Sequence, residues 1–186
     1  MPRALMLTGD AAEELDVMYP LYRIREAGWI CDVAALSRRD VQLVIHDFDP
    51  NSDAYTEKNG RKLPVDLAFS EVDVDKYHAL VIPGGRAPEY IRVDADVRRI
   101  TEHFFAKDLP VGTICHGPQV LISANSLRGR TLTCWPSIAI DVKNAGGLYV
   151  DKPVVEDGNL ITSRKPDDVP LFSEAIVRAL SRGQIS

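Results

Sequence analysis

Short apolar segments alternate along the chain with longer amphipathic ones. The apolar segments predict strands at residues 3–8, 29–36, 78–82, 111–114, 130–134 and 160–163. Helical periodicity predicts helices at residues 11–27, 94–107 and 167–182, and a further helix begins at Pro118. Because strands that alternate with helices usually form parallel sheets covered on both faces, the pattern predicts an α/β fold with a mainly parallel sheet.

Local signals refine the helix boundaries. Gly28 is typical of a residue that follows a helix C-terminus, and Pro20 is expected to kink the first helix from inside. Asp167 or Asp168 is expected to cap the last helix.

Residues 47–63 interrupt the alternation. This segment is polar and rich in Asp, Asn and Gly, and its Asn59-Gly60 pair is typical of a hairpin turn. We expect an excursion from a single domain covering residues 1–186, either a small β-hairpin or an oligomer contact, and not a second domain.

Composition narrows the class of protein. The 186 residues can form one core, and the net charge of −5 without a basic cluster argues against a nucleic-acid partner. No apolar run approaches the roughly 18 residues of a membrane span, and the N-terminus lacks a signal-peptide pattern. The odd, widely spaced cysteines (Cys31, Cys115 and Cys134) predict free thiols in a reducing compartment, so we expect a cytoplasmic protein.

Cys115 follows the predicted strand at residues 111–114, directly before the helix that begins at Pro118. A thiol at this junction faces the positive end of the helix dipole, which predicts a stabilised thiolate. The layout is similar to a nucleophile elbow with sulfur in place of hydroxyl. Most free cysteines, however, are only small buried apolar residues. Whether Cys115 is catalytic therefore depends on the groups that the neighbouring strand ends bring to it.

Two other strand ends could meet Cys115. Glu13, Glu14 and Asp16 follow the first strand, where carboxylates complement a helix dipole. One of them pointing across the strand ends would reach the thiol as a proton shuttle. Gly85 follows the third strand, and its N–H together with that of His116 would form an oxyanion hole.

Histidines give weaker signals. His116 adjoins Cys115, but neighbouring side chains at a sharp turn often point apart, so a contact with the sulfur stays open. His46, His78 and His103 are scattered, and no spacing resembles a metal site. The sequence therefore predicts no metal and no cofactor.

Two segments resemble the ThiJ/PfpI family of the class I glutamine amidotransferase-like superfamily. They are residues 113–119 (TICHGPQ) and 83–89 (PGGRAPE), and residues 13–20, 141–146 and 162–168 extend the likeness over nearly the whole chain. The family is named for an intracellular protease. It also includes the parkinsonism-associated protein, glyoxalase III enzymes and stress-response chaperones.

The resemblance implies a flavodoxin-like sandwich with Cys115 as the nucleophile in a strained elbow. Glu13 matches the buried acid that hydrogen-bonds the thiol, and Gly85 and His116 match the oxyanion-hole amides. Glu89 matches a glutamate that a neighbouring subunit brings to the imidazole. The family also implies a homodimer or hexamer, while residues 47–63 are longer than in its compact protease-like members.

Three functions follow. The favoured one is a glyoxalase III-type lyase that converts methylglyoxal, a small dicarbonyl, to lactate without a cofactor and also acts on early glycation adducts. The second is an intracellular cysteine peptidase or amidase that uses Cys115, His116 and Glu89. The third is a redox-sensing stress protein or holdase in which Cys115 oxidises to a sulfinic acid held by Glu13.

Overall fold

The computed structural model describes residues 2–182, and their strands and helices occur in the following order. The strands are β1 (Arg3–Leu7), β2 (Ile30–Ala35), β3 (Val41–Asp47), β4 (Thr56–Leu63), β5 (Leu67–Ala68), β6 (Ala79–Ile82), β7 (Val111–Ile114), β8 (Thr131–Leu132), β9 (Leu148–Tyr149), β10 (Val154–Asp157) and β11 (Leu160–Ser163). The helices are α1 (Glu14–Glu26), α2 (Ala87–Ile91), α3 (Ala95–Ala106), α4 (Pro118–Ser123), α5 (Ala139–Asn144) and α6 (Val169–Arg182).

Seven of these strands form the central sheet, in the order β10-β11-β7-β6-β1-β2-β5. Neighbouring strands are parallel except at one edge, where β10 runs antiparallel to β11. This arrangement confirms the predicted α/β fold with a mainly parallel sheet. It also places the carboxyl ends of β1, β6 and β7 side by side, which is where such sheets carry their sites.

Two apolar cores lie on opposite faces of this sheet. Alternate residues of β1 supply both, with Met6 in one core and Leu5 in the other. Helices α1 and α6 pack together on the first face, and α3 covers the second. None of the described helices combines the length and apolarity needed to cross a membrane.

The polar excursion is a β-hairpin outside the central sheet, and it starts earlier than the sequence indicates. Antiparallel strands β3 and β4 are joined by residues 48–55, and Asn59 lies within β4 opposite Val44. The expected turn at Asn59-Gly60 is therefore wrong. The turn forms instead where the Asp49 side chain accepts a hydrogen bond from the Asn51 N–H at 2.9 Å.

The last helix also differs from its predicted start. Pro166–Asp168 forms a 3₁₀ turn, and α6 begins at Val169. The Asp168 carboxylate pairs with Arg164 at 2.9 Å, so the expected cap by an aspartate side chain is replaced by this ion pair. Pro20 lies inside α1 as predicted, and Gly28 has φ 85° just beyond its end.

Candidate active site

Cys115 directly follows β7 in a left-handed backbone conformation, with φ 60°. This conformation is unfavourable for a residue with a side chain and persists where the surroundings fix it. Here the Cys115 N–H donates to the Ser163 carbonyl at 3.1 Å, and the Cys115 carbonyl accepts from the Trp135 N–H at 3.0 Å. The strand end therefore holds the thiol in the strained elbow that the family resemblance implies.

Asp16 is the carboxyl group beside the sulfur. A Cβ placed at Gly84 would lie 2.6 Å from Asp16 Oδ2 and 3.0 Å from Cys115 Sγ, so these two atoms flank the same glycine. Asp16 is fully buried, and its nearest hydrogen-bonding neighbours are the Gly84 backbone and the Cys115 thiol. Neither carboxyl oxygen reaches a partner at full hydrogen-bond geometry within residues 2–182.

Burial raises the pKa of Asp16 well above its usual range, and the nearby charge of Glu13 raises it further. The Gly84 backbone and the Cys115 thiol act in the opposite direction but do not outweigh burial. A carboxyl group of this kind can be protonated at rest and is a stronger base than usual once ionised.

Glu13 does not occupy the position beside the thiol that the family resemblance implies. Its carboxylate caps α1 by accepting from the Leu15 N–H at 3.3 Å, and it binds the backbone and the ring of His46 at 3.0 and 2.6 Å. The reason is where the helix begins. Glu13 is the N-cap, with an extended backbone (ψ 125°), whereas Asp16 lies within the first turn of α1, next to buried Val17.

Burial also has the largest effect on the pKa of Cys115. It raises the pKa of Cys115 well above its usual range, with the charge of Asp16 as the next cause. The backbone N–H groups of Gly85 and His116 donate toward the sulfur and lower the pKa by less. The stabilised thiolate expected from the helix dipole is therefore wrong, because desolvation outweighs the donors at the start of the six-residue helix α4.

The same two amides lie where the sequence predicts oxyanion-hole donors. Gly85 adopts φ 78°, and a Cβ there would lie 2.5 Å from the Ala11 carbonyl oxygen. Only glycine fits this turn, and the turn leaves the Gly85 N–H close enough to the Cys115 thiol to lower its pKa.

His116 contacts the thiol, which answers the question that the sequence leaves open. Its Nδ1 lies 3.2 Å from Cys115 Sγ. Burial, followed by the charge of His46, lowers the pKa of His116 to about 4. The imidazole is therefore neutral at neutral pH and can accept the thiol proton.

Glu89 is not brought to this group within the single chain. It is exposed in the first turn of α2, and its side chain makes no hydrogen bond or ion pair with other residues in the described range. That a neighbouring subunit supplies Glu89 to His116 stays a prediction.

A chain of charged groups beside the site comes from the hairpin. His46 Nε2 lies 3.2 Å from Glu57, and Glu57 forms a two-point pair with Arg86 at 2.6 and 2.7 Å. The sequence gives no signal for these pairs, because they depend on the register of β3 and β4.

The sequence does contain a signal for Asp16, which is a carboxylate on an otherwise apolar stripe of the helix. In the described part of the chain, no group of His, Cys, Asp and Glu is arranged to hold a metal ion.

Known proteins are similar to this chain in sequence and in fold. Residues 2–179 match the DJ-1/PfpI family model. A protein of Thermococcus kodakarensis named a deglycase is 43% identical over 178 residues, which cover 96% of this chain and 99% of that protein. Deglycase PfpI of Pyrococcus furiosus is 37% identical over the same coverage. A two-domain protein of Anabaena variabilis with DJ-1/ThiJ/PfpI-like and ferritin-like domains superposes with a TM-score of 0.84 at 30% identity, over 97% of this chain and 48% of that one.

Proposed function

The chain belongs to the DJ-1/PfpI family, and we propose that it is a cofactor-free enzyme acting on small α-oxoaldehydes. Methylglyoxal is the favoured substrate, together with its early adducts on amines. The observation that carries the proposal is the set of groups around one sulfur atom: the Asp16 carboxyl, the His116 imidazole at 3.2 Å and two backbone donors. Relatives named deglycases support the same substrate class.

Addition of the thiol is the first step. As Cys115 Sγ bonds to the aldehyde carbon, the thiol proton passes to Nδ1 of His116. The carbonyl electron pair moves to oxygen, and the Gly85 and His116 N–H groups stabilise that alkoxide. The imidazolium then returns its proton to the alkoxide, which leaves a neutral hemithioacetal.

Isomerisation needs the carboxyl group. In its ionised form, Asp16 takes the proton from the former aldehyde carbon, and a negatively charged enediolate forms as the hydroxyl proton moves to the neighbouring carbonyl oxygen. Asp16 then returns its proton to the second carbon, which gives a lactoyl thioester. Water bonds to the acyl carbon, the S–C bond breaks, and a proton returns to sulfur. The products are lactate and the free thiol.

Glycation adducts enter by the same route. The hemiaminal of an amine and methylglyoxal carries nitrogen on the former aldehyde carbon. Cys115 displaces it, so the S–C bond forms, the C–N bond breaks, and the amine leaves with the thiol proton. The hemithioacetal that remains is the one formed from free methylglyoxal.

We also place the protein in the cytoplasm, since its three cysteines are free and buried.

A cysteine peptidase or amidase is the second candidate, and the 3.2 Å contact between Cys115 and His116 favours it. Acyl transfer needs an imidazolium to protonate the leaving amine. This candidate also needs Glu89 as the partner of His116, and Glu89 makes no such contact within the described residues of one chain. A redox-sensing role gains no support from the site, because the 4% exposure of Cys115 limits the access that an oxidant needs.

The test is consumption of methylglyoxal without glutathione. We expect Cys115→Ala to abolish turnover and Asp16→Asn to lower kcat at least about 100-fold, the usual contribution of a positioned proton carrier. Glu13→Gln is expected to cost less, because Glu13 binds His46 and not the thiol. The matched control is Glu14→Gln, whose carboxylate pairs with Arg61 away from the sulfur.

Wild-type kcat in Asp16→Asn would overturn the assigned proton carrier. Absence of wild-type turnover would overturn the oxoaldehyde reaction itself. In that case, hydrolysis of peptide or amide substrates that is lost in both Cys115→Ala and Glu89→Gln would establish the second candidate.

A further inference from the structure

Aromatic side chains from the β3–β4 hairpin pack against His116 and Trp135, next to Cys115. Cys115 is only 4% exposed, so a substrate must reach it past its neighbours. His116 stacks on Trp135 with ring centroids 5.9 Å apart, and Tyr55 meets the imidazole edge-on at 6.3 Å. Phe48 stacks on the Trp135 ring, with ring centroids 5.5 Å apart. Two hairpin rings and one indole therefore enclose the imidazole side of the site.

The two hairpin rings are held in place from both ends of their loop. Phe48 and Tyr55 bound the connection between β3 and β4, and their centroids lie 5.7 Å apart. Two residues after Tyr55, Glu57 is bound to Arg86 by two hydrogen bonds. Two residues before Phe48, the His46 ring is bonded to Glu13 at 2.6 Å. These bonds hold both ends of the loop that carries the aromatic pair, and Phe48 itself is 47% exposed.

Open space lies elsewhere on this end of the molecule. A cavity of about 630 Å³ lined by Leu36, Tyr90 and Val93 adjoins α2, and neither Cys115 nor His116 lines it. This cavity is therefore separate from Cys115 and His116.

We propose that Phe48 and Tyr55 are specificity-determining residues that restrict Cys115 to small planar carbonyl compounds and exclude peptide chains. Rigid aromatic walls leave a narrow apolar entrance, which a compact dicarbonyl passes and a branched chain does not. The choice of substrate rests on the function proposed above. The restricted access concerns the thiol itself and can be measured without turnover.

The experiment compares wild type with the double variant Phe48→Ala/Tyr55→Ala in two assays. The first measures kcat/KM for phenylglyoxal relative to methylglyoxal. The second measures alkylation of Cys115 by fluorescein maleimide relative to iodoacetamide, with peptide mass mapping to separate Cys115 from the other two cysteines. We expect both bulky-to-small ratios to rise at least about tenfold, the scale on which an apolar pocket discriminates by size.

The control for a lost surface aromatic is Tyr22→Ala. Tyr22 is 56% exposed on α1 and contacts none of the site residues named above, so both ratios are expected to stay at wild-type values. Circular dichroism and thermal unfolding check that each variant is folded. If the double variant does not fold, Phe48→Leu and Tyr55→Leu carry the same test with the same expected direction.

Ratios that stay within about twofold of wild type would overturn the proposal. The proposal would also be overturned if Tyr55→Phe raised both ratios as far as the alanine substitution does. The Tyr55 hydroxyl group, and not the ring, would then restrict access to Cys115. If wild type shows no turnover, the proposed function fails, and the alkylation ratio alone decides whether the hairpin controls access to Cys115.

Discussion

Gly84 lies between the two reactive groups of the site. The Cys115 thiol and the Asp16 carboxyl approach it from different elements, β7 and α1, and no side chain separates them. The carboxyl end of a third element, β6, supplies the glycine. A residue without a Cβ is therefore what allows the Asp16 carboxyl and the Cys115 thiol to share one buried space.

Substitution of Gly84 tests this geometry. In Gly84→Ala the new methyl group meets Asp16 Oδ2 and Cys115 Sγ, so one of them must move. We expect kcat/KM for methylglyoxal to fall about 100-fold and the free energy of unfolding to fall by about 1–3 kcal/mol. Steady-state kinetics and urea unfolding measure both.

The matched control is Gly9→Ala, where the nearest atom to the new Cβ is a flexible Ile91 methyl group at 3.2 Å. If Gly84→Ala kept the kcat/KM of this control, Asp16 and Cys115 would not depend on their present separation.

At the residue scale, the sequence predicts which groups meet better than it predicts their partners. Cys115, Gly85 and His116 lie together, as expected, because each follows or borders a recognisable strand end. The strand ends leave Glu13, Glu14 and Asp16 open, and the resemblance favours Glu13, because the choice depends on the residue at which α1 begins. The direction of the Cys115 pKa shift also needed the structure, because burial depends on every neighbour and not on the local motif.

At the scale of elements, the hairpin joins the rest of the molecule through a histidine between two carboxylates. Burial is the largest single influence on the pKa of His46 and lowers it, but the hydrogen bonds to Glu13 and Glu57 together raise it above its usual value. The folded protein therefore binds this proton more tightly than the unfolded chain does. Charge on His46 stabilises the attachment of the hairpin.

The pH dependence of stability tests this attachment. A raised folded-state pKa stabilises fully below the unfolded value of about 6.5, and the contribution is lost as pH rises through the folded pKa. We expect His46→Gln to lower the free energy of unfolding more at about pH 5.5 than at about pH 9. Glu57→Gln keeps the histidine but removes one partner, and is expected to show a weaker trend of the same sign.

Denaturant unfolding across this pH range measures both variants. A penalty that is constant with pH, or that grows as pH rises, would show that His46 is not the protonated link.

Regular elements were predictable where a pattern was local. The bounds of β7 and β11 agree with their apolar segments, and α3 differs from its predicted range by one residue at each end. The turn of the hairpin is predicted at the wrong residues because β3 is amphipathic and β4 is polar, so neither gives a clear strand pattern. Backbone hydrogen bonds from β3 to the loop before α1 fix the position of the hairpin, and these contacts cannot be seen in its own sequence. The short elements α2, β5 and β9 carry too few residues for any periodicity to show.

At the scale of the whole molecule, stability comes from two separate cores. Ile100 on α3 and Ile176 on α6 are both buried, but the central sheet lies between their clusters. Residues that share no neighbours contribute independently to the free energy of unfolding. The layered architecture therefore predicts that damage on one face does not propagate to the other.

A double-mutant cycle checks this independence. Ile100→Val and Ile176→Val are each expected to cost about 0.5–1.5 kcal/mol, the usual effect of removing one buried methylene. In the double variant the two losses should add to within about 0.5 kcal/mol, measured by urea unfolding. A coupling above about 1 kcal/mol would mean that the sheet transmits strain between its faces.

The left-handed backbone at Cys115 has a consequence for how this protein can change over evolutionary time. At φ 60° a residue with a side chain is strained and destabilises the fold, whereas glycine would adopt the conformation without strain. The proposed catalysis would supply a reason to keep sulfur there, in opposition to selection for stability. A descendant released from catalysis would therefore be expected to lose its cysteine early and to accept glycine at this position, while the sheet that holds the elbow stays unchanged.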